Sequence, residues 1–230
     1  MKQIGELENK IGVVFNNKEL LKQAFTHRSY LNENRHLDIG HNERLEFLGD
    51  AVLELVITEY LYDKYPNKPE GDLTAYRSAL VNTQTLAKRG KELKFSDHLL
   101  LSKGESKDTG RARLYILADT FEAVIGAIYL DQGYNMAQKF IADNLFGLIE
   151  DIVKEGLFID AKSMFQEKSQ EKVSITPSYK TISEDGPDHD KYFTVVVSLN
   201  DEKVAEGKGK SKQEAEQEAA RNALKKKDWM

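Results

Sequence analysis

The 230 residues contain no cysteine, only four prolines, and no apolar run near the roughly 20 residues that a membrane-spanning helix needs. Without thiols, disulfides, thiolate zinc sites, iron–sulfur clusters and cysteine nucleophiles are all excluded. Any metal chemistry must use oxygen or imidazole donors. The first residues, Met1-Lys2-Gln3-Ile4-Gly5-Glu6-Leu7-Glu8, carry acids where a secretory signal would carry its apolar stretch, so a cytoplasmic protein without membrane contact is expected. A basic excess is missing too: 33 Lys and Arg stand against 38 Asp and Glu, a formal charge of −5, which does not suit an evenly basic nucleic-acid binder. With 40% apolar residues the chain is still expected to bury a core, as one or two domains.

Charge is unevenly placed. Residues 1–156 hold 20 basic and 24 acidic side chains, and residues 157–230 hold 13 and 14. Within the second part, however, Lys203, Lys208, Lys210 and Lys212 face only Glu206, which gives a weakly acidic protein a basic edge. Arg221 and the run Lys225-Lys226-Lys227 near the end read as a solvated helix terminus.

The hydrophobic period divides the chain at the same place. Apolar residues recur at three- and four-residue steps through Leu45, Leu48, Val52, Leu55, Val56 and Tyr60, and again through Ile116, Phe121, Val124, Ile125 and Ile128. Further helices are expected at 17–24, 72–80, 82–93 and 134–154. Pro66 and Pro69 interrupt the pattern. The polar joint Lys154-Glu155-Gly156-Leu157 marks a boundary between an all-α domain, 1–156, and a smaller α+β domain, 157–230. In the latter a helix at 160–171 precedes strands at 178–183, 192–199 and 204–208, and a helix over 211–226 opened by Ser211 as N-cap. Its order is α-β-β-β-α.

The most informative stretch is His41-Asn42-Glu43-Arg44-Leu45-Glu46-Phe47-Leu48-Gly49-Asp50. At roughly 100° per residue, Glu43, Glu46 and Asp50 point to about 0°, −60° and −20°, so three acids share one narrow stripe of a helix. Like charges at this spacing repel one another, and Arg44 points about 100° away from Glu43. A second pair, Asp119 and Glu122, sits three residues apart in a segment otherwise apolar enough to be core. Buried carboxylates need a partner. Either they pair with arginines such as Arg44, Arg77 or Arg89 or lie on a solvated face, or two packed helices bring them together as an all-oxygen cage for a hard cation such as Mg²⁺ or Mn²⁺. Such an ion would activate water for in-line attack on a phosphodiester. Gly49 and Gly126 each cost a helix roughly 1 kcal/mol, which points either to close helix approach or to a tolerated glycine.

The stretch Asn42–Leu53, NERLEFLGDAVL, resembles the signature of the ribonuclease III family. Ile116–Asp131, ILADTFEAVIGAIYLD, is similar to that family's other metal-binding helix, and Glu70–Leu73, EGDL, to a third segment. The resemblance implies that Glu46, Asp50, Asp119 and Glu122 are metal ligands, with Asp50 and Glu122 catalytic, Glu43 an acid near the scissile region and Glu70 an accessory acid. It places Phe47 at a homodimer contact, although taken alone a Phe beside such acids reads as core. One departure is Leu114-Tyr115, where a small or polar residue is expected at position 115, with consequences for local packing only.

The second domain resembles a double-stranded RNA-binding domain, a module that reads A-form shape through 2′-hydroxyl and phosphate contacts. The resemblance assigns minor-groove contact to Gln166 and Glu167, entry into the next groove to His189 in the loop after Gly186-Pro187, and phosphate contact to Lys210 and Lys212 at the last helix N-terminus. Gln213 stands where the family usually has a second Lys, and Glu214, Glu216 and Glu218 follow, so a weaker electrostatic contribution is expected. Together these features imply a Mg²⁺-dependent endoribonuclease, with Mn²⁺ as a substitute and no organic cofactor. The family resemblance further implies that it cleaves double-stranded RNA as a homodimer, leaves 5′-phosphate and 3′-hydroxyl ends with short 3′ overhangs, and processes ribosomal and other structured RNA precursors. Two other classes compete. A purely RNA-binding protein needs none of the four acids, and a di-iron carboxylate enzyme wants a Glu-x-x-His on each of two helices, which neither Glu46 nor Glu122 supplies.

Overall fold

The period between Leu45 and Tyr60 folds as one long helix, α4 (Glu43–Lys64), and the second apolar run folds as another of equal length, α7 (Arg111–Gln132). From Ile116 to Ile128 every residue of α7 is buried except Asp119 and Glu122, which are half-buried, so α7 is a central helix enclosed by its neighbours. It packs most extensively on α4. Around this pair stand α1 (Ile4–Ile11), α2 (Lys18–Ala24), α3 (Arg28–Glu33), α5 (Glu70–Val81), α6 (Thr83–Glu92), α8 (Tyr134–Leu145) and α9 (Ile149–Glu155). Their shared core includes Leu53, Val56, Ile57, Phe95, Phe121, Val124 and Ile128.

This computed structural model describes residues 4–107, 109–155, 160–187 and 191–229. The chain divides into two compact units, Met1–Phe158 and Ile159–Met230. The expected boundary between residues 156 and 157 lies outside the described residues. Among the described residues no helix is long and apolar enough to cross a membrane.

In the second unit α10 (Ala161–Val173) and α11 (Lys212–Lys227) cover one face of an antiparallel sheet of β1 (Ser178–Asp185), β2 (Tyr192–Leu199) and β3 (Glu202–Gly209), in the order β1-β2-β3. The core between them holds Phe165, Val195, Val197, Leu199 and Val204 together with Ala215, Ala219 and Ala223 of α11. Small side chains on α11 let the helix lie close to the sheet. Each helix of this unit starts on a polar cap: Asp160 accepts from the Ser163 N–H at 3.2 Å, and Ser211 accepts from the Glu214 N–H at 3.1 Å.

Three departures from the sequence expectations have local reasons. The helix expected over 134–154 is broken at Phe146–Leu148, a short 3₁₀ turn where the Phe146 ring stacks on Tyr60 at 3.6 Å and its carbonyl accepts from the Tyr60 hydroxyl at 3.3 Å. The two helices α1 and α3 are additional: α1 carries its period in only Ile4, Leu7 and Ile11, over eight residues, and α3, of six residues, buries none. Leu114 and Tyr115 are partly exposed on the first turns of α7, where Arg111 lies over the Tyr115 ring, so the unusual residue there disturbs no core.

Candidate active site and RNA-binding face

The start of α4 is fixed by backbone contacts. Asn42 is buried and donates its N–H to the Thr26 carbonyl at 2.9 Å, while the Gln23 side chain donates to the His41 carbonyl at 3.1 Å. One turn later α4 and α7 touch through their backbones. A Cβ on Gly49 would lie 1.8 Å from the Glu122 carbonyl oxygen, and one on Gly126 would lie 2.2 Å from that of Leu45. The glycines are the close approach that the sequence offered as one of two explanations, and they set the acid-bearing turns side by side.

Carboxylate oxygens of Glu46, Asp119 and Glu122 come within 4.8 Å of one another. Asp50 stands outside that trio, one turn further along α4 and more exposed. Its charge nevertheless acts on both glutamates. Burial pushes the Glu122 carboxyl up to about 8, helped by the charges of Asp50, Asp119 and Glu46. Burial likewise raises Glu46 to about 7, with Asp119, Glu43 and Asp50 adding repulsion. Asp119 and Asp50 are raised too, both by burial first, and Asp50 then by Glu54 four residues on. No basic side chain among the described residues forms an ion pair with any of the four. The arginines that offered the alternative are engaged elsewhere or point away: Arg77 donates to Thr58 and Arg89 to Glu92. Glu46, Asp119 and Glu122 thus form an oxygen-only cluster with excess negative charge and no internal counterion, beside the further charge of Asp50, which fits a hard divalent cation. It contains no histidine, which removes the di-iron reading.

The accessory acids sit differently. Glu43 is held by Arg28 at 3.4 Å and lies 3.7 Å from His41 Nδ1. Glu70 opens α5, exposed, and accepts from the Thr74 hydroxyl at 2.9 Å, outside the trio. Phe47 is 81% exposed, which overturns its reading as a core residue.

On the second unit Gln166 and Glu167 are exposed on α10 and line a shallow groove with Ser163 and Gln170. Lys212 stands 5.5 Å over the Phe193 ring and Lys210 5.4 Å over the Tyr192 ring, each at the first turn of α11 or just before it. His189 lies outside the described residues. The acids expected to weaken this edge have structural partners. Glu214 accepts from the Lys210 N–H at 2.9 Å, Glu218 from the Lys208 N–H at 2.6 Å, and Glu216 pairs with Lys162 at 2.7 Å. The rings under the two lysines were absent from the sequence reading, although Tyr192-Phe193 at the start of a strand is visible in it.

A ribonuclease-III-like family model matches residues 17–149, and a double-stranded RNA-binding motif matches residues 161–227. Ribonuclease 3 of Enterococcus faecalis is 49% identical, over 96% of this chain and 95% of the relative. The chain belongs to the ribonuclease III family. Ribonuclease 3 of Geobacillus thermodenitrificans is 48% identical, over 95% of this chain and 89% of its own. A solved structure of the ribonuclease III nuclease domain from Campylobacter jejuni is 41% identical with a TM-score of 0.56, covering 62% of this chain and 98% of that domain. Family membership makes this chain a double-stranded-RNA-specific endoribonuclease. It carries an acidic cluster of the kind that a metal-dependent nuclease of this family needs.

Proposed function

We propose that the chain is a Mg²⁺-dependent homodimeric endoribonuclease in which Glu46, Asp50, Asp119 and Glu122 hold the ion, with Mn²⁺ as a substitute. Residues 1–156 carry the chemistry and residues 157–230 the duplex-binding module. The observation that carries the metal assignment is the convergence of Glu46, Asp119 and Glu122 without a cationic partner. When bound, the ion supplies water activation and neutralises charge developing on the scissile phosphodiester. The protein's part is positional. Backbone contact at Gly49 and Gly126 sets the acid-bearing turns of α4 and α7 side by side, and the buried residues around Asp119 and Glu122 on α7 fix where those two carboxylates stand. Asp50 and Glu122 are the acids assigned to the reacting water, and Glu43 and Glu70 flank the path of the RNA backbone.

A homodimer is supported by α4 itself. Phe47, Leu55 and Tyr62 are exposed at 81%, 58% and 71%, and at about 100° per residue they share one stripe of the helix, an apolar surface of the kind that marks an interface. The Campylobacter jejuni nuclease domain has a region involved in dimer formation, which is in keeping with this reading. Gln166, Glu167, His189, Lys210 and Lys212 are assigned to duplex binding. The products carry 5′-phosphate and 3′-hydroxyl ends, the substrates are ribosomal and other structured RNA precursors, and the compartment is the cytoplasm.

The test is incubation of a long RNA duplex with the purified protein, with and without Mg²⁺. Cleavage to short duplexes only with the ion is expected. Equal cleavage in excess chelator would refute the metal assignment.

A further inference from the structure

The lysine edge contains an acid that the proposed RNA contacts leave unused. Glu184, near the end of β1, stands opposite Phe193 of β2 in the sheet register. Its Oε1 lies 2.9 Å from Lys212 Nζ, and its Oε2 lies 3.8 Å from Lys191 Nζ. The same Lys212 ammonium is above the Phe193 ring. Three elements therefore meet on one cation: the carboxylate from β1, the ring from β2 and the lysine from α11.

We infer that Glu184 is an intramolecular stand-in for an RNA phosphate, which occupies Lys212 in the free protein and thereby sets the affinity and salt dependence of duplex binding. The inference rests on the reading that Lys212 meets a phosphate. A carboxylate and a phosphate both offer anionic oxygens to one compact ammonium. A phosphate that leaves Glu184 in place meets a lysine already neutralised, beside a repelling charge. A phosphate that displaces it must break the ion pair first. Either way the contact yields less than an unoccupied lysine would give. The Phe193 ring holds the ammonium independently of the acid, so removing Glu184 takes away the competitor and leaves the guide. Both side chains are substantially exposed, 58% for Lys212 and 41% for Glu184, so the pair is a weak one and the effect is modest.

The experiment measures duplex RNA binding by the full chain across a salt series, in chelator so that no cleavage intervenes. Glu184→Gln should bind roughly two- to five-fold more tightly at low salt. Its log–log salt slope should steepen by up to about one unit, because a Lys212–phosphate contact no longer returns a free carboxylate to solution. Asp185→Asn removes the same charge one residue away. Its carboxylate accepts from Ser183 and makes no contact with Lys212, so its gain should be smaller. In a Lys212→Ala background the gain from Glu184→Gln should fall to that of Asp185→Asn. A gain equal to the Asp185→Asn control, a gain that persists without Lys212, or no gain at all overturns the inference. Glu184→Asp keeps the charge but shortens the reach. It should show part of the gain, and it keeps the test open if the Gln variant melts early. Failure of the unaltered chain to bind duplex at all would instead refute the RNA-binding reading.

Discussion

The acids of α4 and α7 differ from those of α11 in what surrounds them. Glu214, Glu216 and Glu218 each meet a partner supplied by the fold, two backbone N–H groups and one lysine. Glu46, Asp119 and Glu122 sit in a more apolar setting and, with the exposed Asp50 nearby, have one another instead of cations, which is why the two glutamates hold their protons to about 7 and about 8. An acid with a partner is part of the architecture. A group of acids without one leaves charge to be neutralised from outside, and that separates a binding site from a charged surface.

The strongest way to break this contrast is to remove one charge from each group. Glu122→Gln should lower duplex cleavage by about 10³-fold, since several kcal/mol of transition-state stabilisation is lost and each 1.36 kcal/mol is about tenfold. Duplex affinity should stay the same or rise, because an acid near phosphates repels them. Glu218→Gln, by contrast, should leave the chemical step intact and cost at most about 1 kcal/mol of stability through its backbone contact. Single-turnover cleavage beside binding and a thermal melt checks both. Near-normal turnover of the Glu122 variant at limiting Mg²⁺ would return these acids to a structural role.

Gly49→Ala should come next in size. A methyl group 1.8 Å from the Glu122 carbonyl forces the helices apart, at about 1–3 kcal/mol or somewhat more, which lowers the melting temperature by roughly 5–10 °C. Divalent-ion binding, read by calorimetry, should weaken with it. An unchanged melt would show that the two helices can separate freely.

The pH dependence of the metal-free protein should be smaller. A carboxyl raised from 4.5 to about 7 or 8 on folding is a group on which the native state binds the proton more tightly than the unfolded chain does. Its contribution is therefore fully present below about pH 4.5 and is lost as pH rises through 7 to 8. Melting temperature in chelator should fall by a few degrees between pH 5.5 and 8.5. Added Mg²⁺ should narrow the difference, and Glu122→Gln should flatten it. A melt that rises with pH over this range would contradict the unpaired setting of Glu46 and Glu122.

The smallest effect is expected at the basic edge. Lys212→Ala should weaken duplex binding a few-fold, evenly across RNA sequences, because a phosphate contact carries no base information, and should reduce the salt slope by less than one unit, because the paired Glu184 already offsets part of that contact. A change in which sequences are bound, at unchanged overall affinity, would assign Lys212 to base reading instead.

The acid stripe was legible in the sequence because it depends on helical geometry alone: once 43–50 is a helix, Glu46 and Asp50 must share a face. The close approach at Gly49 and Gly126 was half legible, as a local cost without a visible return. From its neighbours alone Phe47 reads as core, and its exposure overturns that reading, because α4 has apolar residues on several sides and period alone does not tell a buried face from an exposed one. The break at Phe146 and the Glu184–Lys212 pair were not legible at all. The first depends on Tyr60 from another helix. The second depends on a strand register that only the folded sheet fixes.

Backbone contact between α4 and α7 also determines what is free to vary. Side chains absorb a neighbour's change by rotating, whereas a carbonyl in mid-helix has almost no latitude to move. With Glu122 and Leu45 carbonyls resting against glycines, the width of the gap that the carboxylates span is fixed by main-chain atoms, much as a spacer fixes the opening of a jaw. Leu53, Val56, Phe121 and Val124 can therefore be exchanged for other apolar residues of similar bulk without retuning that gap, provided the two glycines stay.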